Sequence, residues 1–379
     1  MIYFDNAATT YPKPPEVIRA TIGVMEKLGG NPGRAGHHFS LCAGRVLNRC
    51  REEAAQLFLM DKPEQVIFTY NCTDSINIAI RGSLHLGDEV ICSHAEHNAV
   101  MRVLRGYERL NMITVKVLTP NTMGVLEPHT LQAAISPKTT LVVLSHASNV
   151  TGIIQPVELL GAVCRENGIP LLVDAAQTAG VLPVSLSSLN ADMIALPGHK
   201  GLLGPQGTGL LLLREGVLPR AYREGGTGSR SESMFQPEDL PDRFESGTLN
   251  LPGIAGLLQG IRFVRAHGRE IRQYEETLTE RLKAGLMSID GLTVLGHPDA
   301  KRVGVLSFLM EQMDSSELTD ALDGLGFALR GGLHCAPAIH EHLGTLKTGA
   351  VRASVGIYNT EEEVDRLVEG VYKLASLRG

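Results

Sequence analysis

Tryptophan is absent from the 379 residues, and that by itself excludes nothing. Other absences are more useful. No apolar run approaches the ~20 residues that span a bilayer, so no membrane-spanning helix is expected. The opening residues, MIYFDNAATT, lack a basic segment followed by an apolar one, so no signal peptide is expected and the chain reads as cytoplasmic. Positive charge is not in excess. Lys and Arg number 35 against 41 Asp and Glu, a net charge of -6, which leaves no electrostatic footprint for nucleic acid. Six cysteines (Cys42, Cys50, Cys72, Cys92, Cys164, Cys335) show no paired spacing. In a reducing compartment they are expected as thiols, most of them small core residues. Internal repeats and low-complexity segments are also missing. What remains is ordinary for a globular protein: 43% hydrophobic and 20% charged residues, in a length that suits one large domain and a smaller one.

One stretch stands out, MIALPGHKGLLGPQGTGLLLL, from Met193 to Leu213. Two short apolar runs, 193–196 and 210–213, read as buried strands around a glycine-rich turn carrying His199 and Lys200. Lysine is strongly hydrated and avoids such places. Two readings are open here. The lysine points at water, or it is held dry, where desolvation lowers its pKa and makes the amine a nucleophile toward carbonyls. The glycines do not form a G-x-G-x-x-G, so a dinucleotide loop is not indicated.

Along the chain, a Pro-rich turn over 1–14 precedes a helix over 16–28. A glycine-containing loop with Arg34, His37 and His38 follows, then a helix over 41–60. From there strands and helices alternate. Strands are expected over 66–69, 89–92, 114–118, 140–145 and 170–173, the last ending on Asp174. Helices are expected over 74–84, 98–110, 128–135 and 157–167. This alternation predicts an α/β domain with a mostly parallel sheet covered by helices on both faces. After Pro252 the texture changes. Two helices (253–267 and 269–289), shorter strands over 293–295, 303–308 and 351–354, a helix over 315–325 and a final helix opening at Thr360 suggest a smaller α+β domain. Thr360 with Glu363 is a capping-box pattern. The expected domains are 15–252, and 1–14 together with 253–379.

Ligands gather at the carboxyl ends of strands in α/β sheets. The residues expected there are Cys72, Thr73, His97, Asn149, Asp174, Gln177, His199 and Lys200. Most have plain explanations: Thr73 as a helix cap, His97 as the start of a helix, Asn149 in a turn. Asp174 is harder to explain that way. A carboxylate directly after Leu-Leu-Val sits at the mouth of a buried strand and needs a partner. A buried Asp, a buried Lys and a helix N-terminus for phosphate are the parts that hold pyridoxal phosphate (PLP). The lysine binds the aldehyde and the carboxylate pairs with the pyridinium nitrogen.

Seven motifs occur in order: DNAATT, HASNVTG, LVDAAQTAG, PGHKGLLGPQGTG, RFESGT, LRGGLHCA and VRASVGIYNTEEEVDRL. By them the chain resembles the class V aminotransferase family and, within it, the cysteine desulfurases and selenocysteine lyases, nearest the SufS-like group. The resemblance implies the PLP-dependent transferase fold type I. It implies that Lys200 is the Schiff-base lysine, that Asp174 pairs with the pyridine nitrogen, and that Gln177 donates to the ring hydroxyl. His97 would stack on the ring and shuttle protons. Cys72, Thr73 and His199 would hold the cofactor near its phosphate. Thr248 would reach the phosphate of a neighbouring subunit, which implies a homodimer. Asn149 and Arg352 would grip the substrate carboxylate, with Arg34 nearby. Cys335 resembles the family's sulfur-accepting cysteine, and His334 and Arg330 are expected to favour its thiolate. Where relatives often carry Ser or Thr, two residues before the His-Lys pair, this chain has Pro197, so phosphate binding must lean on the other groups.

The activity implied is desulfuration of L-cysteine to L-alanine, with a persulfide on Cys335 passed to an acceptor protein for iron–sulfur cluster assembly or thio-cofactors. Three other readings are open: a selenocysteine lyase acting on L-selenocysteine, an aminotransferase or another β-eliminating lyase, and a catalytically silent binding module. A metal site of Cys335, His340 and His342 fits no standard zinc spacing.

Overall fold

The computed structural model describes residues 1–32 and 36–377. A two-residue strand, β1 (Ile2–Tyr3), opens the chain, followed by helices α1 (Pro15–Lys27) and α2 (His38–Leu57). The alternating region then runs β2 (Val66–Thr69), α3 (Cys72–Ser83), β3 (Asp88–Ser93), α4 (Asn98–Arg109), β4 (Ile113–Leu118), α5 (Pro128–Ala134), β5 (Thr139–Ser145), α6 (Val157–Glu166), β6 (Leu171–Asp174), β7 (Met193–Pro197) and β8 (Gly209–Leu213). A long helix α7 (Leu251–Met287) leads to β9 (Leu292–Val294), β10 (Val305–Met310), α8 (Ser315–Gly324), β11 (Phe327–Ala328), β12 (Arg330–Gly332), α9 (Pro337–His342), β13 (Ala350–Ser354) and α10 (Glu361–Ser376).

Seven strands form the larger sheet, in the order β2-β8-β7-β6-β5-β3-β4. Pairing is parallel from β7 to β4, and β8 runs antiparallel to both its neighbours. Side chains alternate across this sheet. Leu171 and Val173 pack on one face with α2 and α7, while Leu172 packs on the other with α3 and α4. Both faces are therefore dry, which is why the strands read as unbroken apolar runs rather than alternating ones. The second sheet is antiparallel, ordered β12-β13-β10-β9. β1 pairs with β11, and Asp5 bridges Ser354, so the start of the chain is stitched to its last third. No described helix is long and apolar enough to cross a membrane.

Three local expectations need correcting. α7 is one helix, not two. The two expected helices, 253–267 and 269–289, leave Gly268 between them, but a helical glycine is disfavoured by only about 1 kcal/mol against alanine; Val264 and Ile271, buried on either side, hold the helix through it. α2 starts at His38, because the ring of His37 accepts the Ser40 N–H as an N-cap. α3 is capped by Asn71, whose side chain accepts the Asp74 N–H, so Thr73 lies inside the helix rather than capping it. The Thr360–Glu363 capping box is present as expected.

Glu275 on α7 is buried with no cationic partner among the described residues, and burial raises its carboxyl pKa to about 8 from 4.5. The unfolded chain releases this proton near 4.5, whereas the folded chain keeps it until about 8. The stabilising effect is therefore complete below 4.5 and is lost as pH rises through 8. Glu275→Gln is expected to stabilise the protein by about 2–4 kcal/mol at pH 9 and much less near pH 5. Thermal unfolding of both proteins across that range checks it; a gain that does not grow with pH refutes it.

Candidate active site

In a parallel sheet the strand ends point one way, so the turns after β3, β5, β6 and β7 share one rim. They surround a cavity of about 230 Å³, closed on its far side by β12, β13 and the turn after β12. Cys72 and Thr73 enter it from the first turn of α3, and His97 from the start of α4. Asn149 comes from the turn after β5, and Asp174 and Gln177 from β6 and its turn. Pro197 ends β7, and His199 and Lys200 follow it; Arg330 and Arg352 come from the smaller sheet, and His334 and Cys335 from the turn after β12. One cavity thus collects all eight residues expected at strand ends, together with Arg352 and Cys335.

Lys200 is held where burial lowers the pKa of its ammonium, with Arg352 and Arg330 pushing the same way and Asp174 opposing them. Its Nζ donates no hydrogen bond within the described chain. Asp174 is 5% exposed. Its Oδ1 accepts the Ala176 N–H at 2.8 Å and faces the Cys72 thiol at 3.5 Å. Burial, followed by the charge of Asp174, raises the Cys72 pKa well above the usual thiol value, so this cysteine stays a neutral lining group.

His97 has two jobs that the sequence presented as alternatives. Its Nδ1 accepts the Ala99 N–H at 3.0 Å as the N-cap of α4, while the ring lines the cavity. A ring accepting at Nδ1 carries its proton on Nε2. Burial lowers the His97 pKa, against an opposing pull from Asp174. His199 is fixed through its backbone carbonyl, which accepts from Lys13 Nζ at 2.6 Å and from the Thr10 N–H at 3.2 Å. Burial lowers its ring pKa to about 4, so the imidazole is neutral. Gln177 donates to the Ala7 carbonyl at 3.3 Å.

Arg352 is 2% exposed and points Nη2 at Asp5 Oδ1, 2.8 Å away. Its Nη1 donates to the Asn149 carbonyl at 3.1 Å. Arg330 lies beside it across the strands, in register. With Lys200, these guanidiniums give the cavity a cationic lining that suits carboxylate or phosphate. Three buried polar atoms of lining residues have no partner within the described chain: His199 Nδ1, His334 Nδ1 and Arg352 Nε.

Cys335 is exposed at the cavity mouth. His334 and Cys335 both adopt left-handed backbone, with φ of 51° and 58°. For residues with a Cβ each such turn costs about 1–2 kcal/mol. The expectation that His334 supplies charge to the thiol is overturned. Its Nε2 faces the Ala350 carbonyl at 3.0 Å, and burial drops its pKa to about 3, leaving it neutral. Only Arg330 remains as a nearby cation of the expected pair. Cys335, His340 and His342 form no metal-holding group among the described residues.

One expected residue lies elsewhere. Thr248 is exposed and lines a different cavity, with its carbonyl accepting from Tyr70 at 3.2 Å. Arg34 falls outside the described residues. Others were not singled out in the sequence. Asp5 was visible only as a letter in DNAATT, with nothing to link it to Arg352. Ser145 lines the cavity and is tied to Glu96, whose carboxylate accepts from Ser93 Oγ at 2.6 Å and from the Ser145 N–H at 3.0 Å. Burial raises the Glu96 pKa to about 7 despite those bonds. A carboxylate directly before His97 was the available signal.

Residues 2–367 match the family described as Aminotransferase class-V. A probable cysteine desulfurase of Methanothermobacter thermautotrophicus is 36% identical, over 99% of this chain and 95% of its own length. A cysteine desulfurase of Escherichia coli is 31% identical, over 100% of this chain and 94% of its own. Among solved structures, the apo cysteine desulfurase of Thermococcus onnurineus NA1 superposes with a TM-score of 0.92 at 31% identity, covering 99% of this chain and 94% of that one. The Escherichia coli cysteine desulfurase CsdA gives a TM-score of 0.89 at 28% identity, with coverage of 99% and 94%. The parallel sheet, the lysine between its last two strands and nearly the whole length of the sequence agree: this chain belongs to the class-V aminotransferase family.

Proposed function

We propose that the protein is a PLP-dependent cysteine desulfurase, converting L-cysteine to L-alanine with a persulfide formed on Cys335. The observation that carries this is the meeting of Lys200, Asp174 and the exposed Cys335 around one cavity.

The residues present fit PLP. Its phosphate would take the first amides of α3, which have no carbonyl four residues back, with Thr73 and the unpartnered His199 Nδ1 beside them. Asp174 would pair with the ring nitrogen and Gln177 with the ring hydroxyl. His97 would lie against the ring, and Cys72 would fill space beneath it. Pro197 offers neither hydroxyl nor N–H to the phosphate. When bound, PLP supplies an electron sink for the substrate's α-carbon.

The chain's own groups do the rest. Arg352 and Asn149 bind the substrate carboxylate. Lys200, its pKa lowered, holds and moves the proton at the α-carbon. Cys335 Sγ, as thiolate, attacks the substrate sulfur. An S–S bond forms, the substrate C–S bond breaks, and its electron pair stays with carbon, which takes a proton to become alanine. A sulfur-acceptor protein then collects the persulfide at the cavity mouth. We further propose two domains, 15–252 and 1–14 with 253–379, the second carrying Cys335. In a homodimer Thr248 would reach the partner's phosphate, and the protein would serve iron–sulfur cluster or thio-cofactor assembly in the cytoplasm.

The test is to add L-cysteine to the PLP-loaded protein, quantify alanine, and map added sulfur by mass spectrometry. Alanine with a persulfide on Cys335 is expected. Pyruvate, amino-group transfer, or sulfur on another cysteine would overturn the proposal.

A further inference from the structure

We propose that Asn149 positions Cys335: one N–H of its carboxamide holds the His334 carbonyl, and the other is left to meet the substrate carboxylate. The proposal rests on Cys335 being the sulfur acceptor, and it adds a second task to Asn149.

The turn that presents Cys335 is strained. Two successive residues with a Cβ take left-handed backbone, and such a pair persists only where its surroundings hold it. Four contacts do so. The Ala336 N–H closes the turn on the Leu333 carbonyl at 2.9 Å. The Asn98 N–H donates to the Cys335 carbonyl at 2.7 Å. His334 Nε2 reaches the Ala350 carbonyl at 3.0 Å. Asn149 Nδ2 donates to the His334 carbonyl at 2.6 Å, the shortest of the four.

Of these, only the Asn149 contact comes from a side chain that lines the cavity from the larger sheet's side. That side chain is itself braced. Asn149 is buried, and its backbone carbonyl accepts from Arg352, which is locked to Asp5. Ser148 Oγ accepts the N–H groups of Val150 and Thr151, fixing the turn Asn149 sits in. A carboxamide nitrogen carries two donors, and one is spent on His334. The group expected to read the substrate's carboxylate is thus the group that holds the sulfur acceptor's turn, with Arg352 bound to its backbone carbonyl. A substrate carboxylate seated on Asn149 thus meets a thiol whose turn is held by the same side chain, itself braced by Arg352.

Hydrogen exchange read by mass spectrometry tests this without relying on turnover. In Asn149→Ala, amides over 333–337 are expected to exchange at least ~10-fold faster than in the parent protein, while those of β6 are unchanged. The effect should appear both with and without PLP. Asn149→Asp, the same shape with no N–H to give, is the companion variant and is expected to loosen the same segment. Unchanged exchange over 333–337 in a folded variant overturns the proposal, even if KM for L-cysteine rises; the desulfurase reading would then stand without it. Loosening of the segment in a protein whose parent makes no alanine supports the positioning role and removes the desulfurase reading instead.

Discussion

Lys200→Ala is expected to lower L-cysteine turnover by about 10^4-fold or more, because one substitution removes both a nucleophilic amine and a proton carrier. The loop is built to hold this residue in place. A Cβ on Gly198 would meet Thr208 Oγ1 at 2.1 Å, and one on Gly201 would meet the Ala179 carbonyl at 2.3 Å. The two flanking glycines therefore let the backbone press against its neighbours while the lysine between them faces the cavity. Burial and the guanidiniums of Arg352 and Arg330 lower the amine's pKa. More free amine is then available at neutral pH, which a nucleophile toward an aldehyde requires.

Lys200→Arg separates charge from chemistry. It keeps the cation and offers no free amine, so its loss should match that of alanine. Stability should move little or improve in Lys200→Ala, since a desolvated cation without a hydrogen bond is not a source of stability. Steady-state turnover, thermal unfolding and the visible absorbance of bound PLP check all three points. Residual activity within tenfold of the parent in a folded Lys200→Ala protein would remove Lys200 from the mechanism.

The sequence carried much of this, for physical reasons that differ from residue to residue. A parallel sheet buried on both faces leaves continuous apolar runs, so β5, β6 and β7 were legible, and with them the rim where Asp174 and Lys200 sit. Contacts between remote segments were not. Asp5 and Arg352 are 347 positions apart, and no local pattern ties a carboxylate in the first turn to an arginine in the last sheet. β1 and β11 are two residues each, too short for any period to register. Gly268 misled because propensity is a local quantity, while Val264 and Ile271 decide the matter through packing. His334 misled in another way. Its neighbour in sequence is Cys335, but its ring turns to Ala350, and burial makes it neutral. Adjacency in the chain says nothing about which way an imidazole faces.

Cys335→Ser is expected to reduce L-cysteine turnover by about 10^3-fold or more, the scale of losing a nucleophile that no other group replaces. The exchange is nearly isosteric and keeps the Cβ, so the left-handed turn and its hydrogen bonds stay as they are. The thiol is exposed and donates no hydrogen bond within the described chain, so unfolding temperature and PLP binding should be unchanged. What changes is chemical. A serine hydroxyl stays protonated at neutral pH, and it cannot accept a sulfur atom to form a persulfide. The other thiols do not stand in for it. Cys72 lines the cavity, but its pKa is raised far above that of a free thiol; Cys50, Cys92 and Cys164 are buried, and Cys42, half-buried on α2, does not line the cavity. L-selenocysteine sharpens the result. Selenium leaves carbon more easily, so the variant should lose less activity on it than on L-cysteine. If Cys335→Ser turned over L-cysteine at the parent rate, sulfur would be leaving the substrate without the residue at the cavity mouth. The persulfide step, and the need for a strained turn to present it, would both fall.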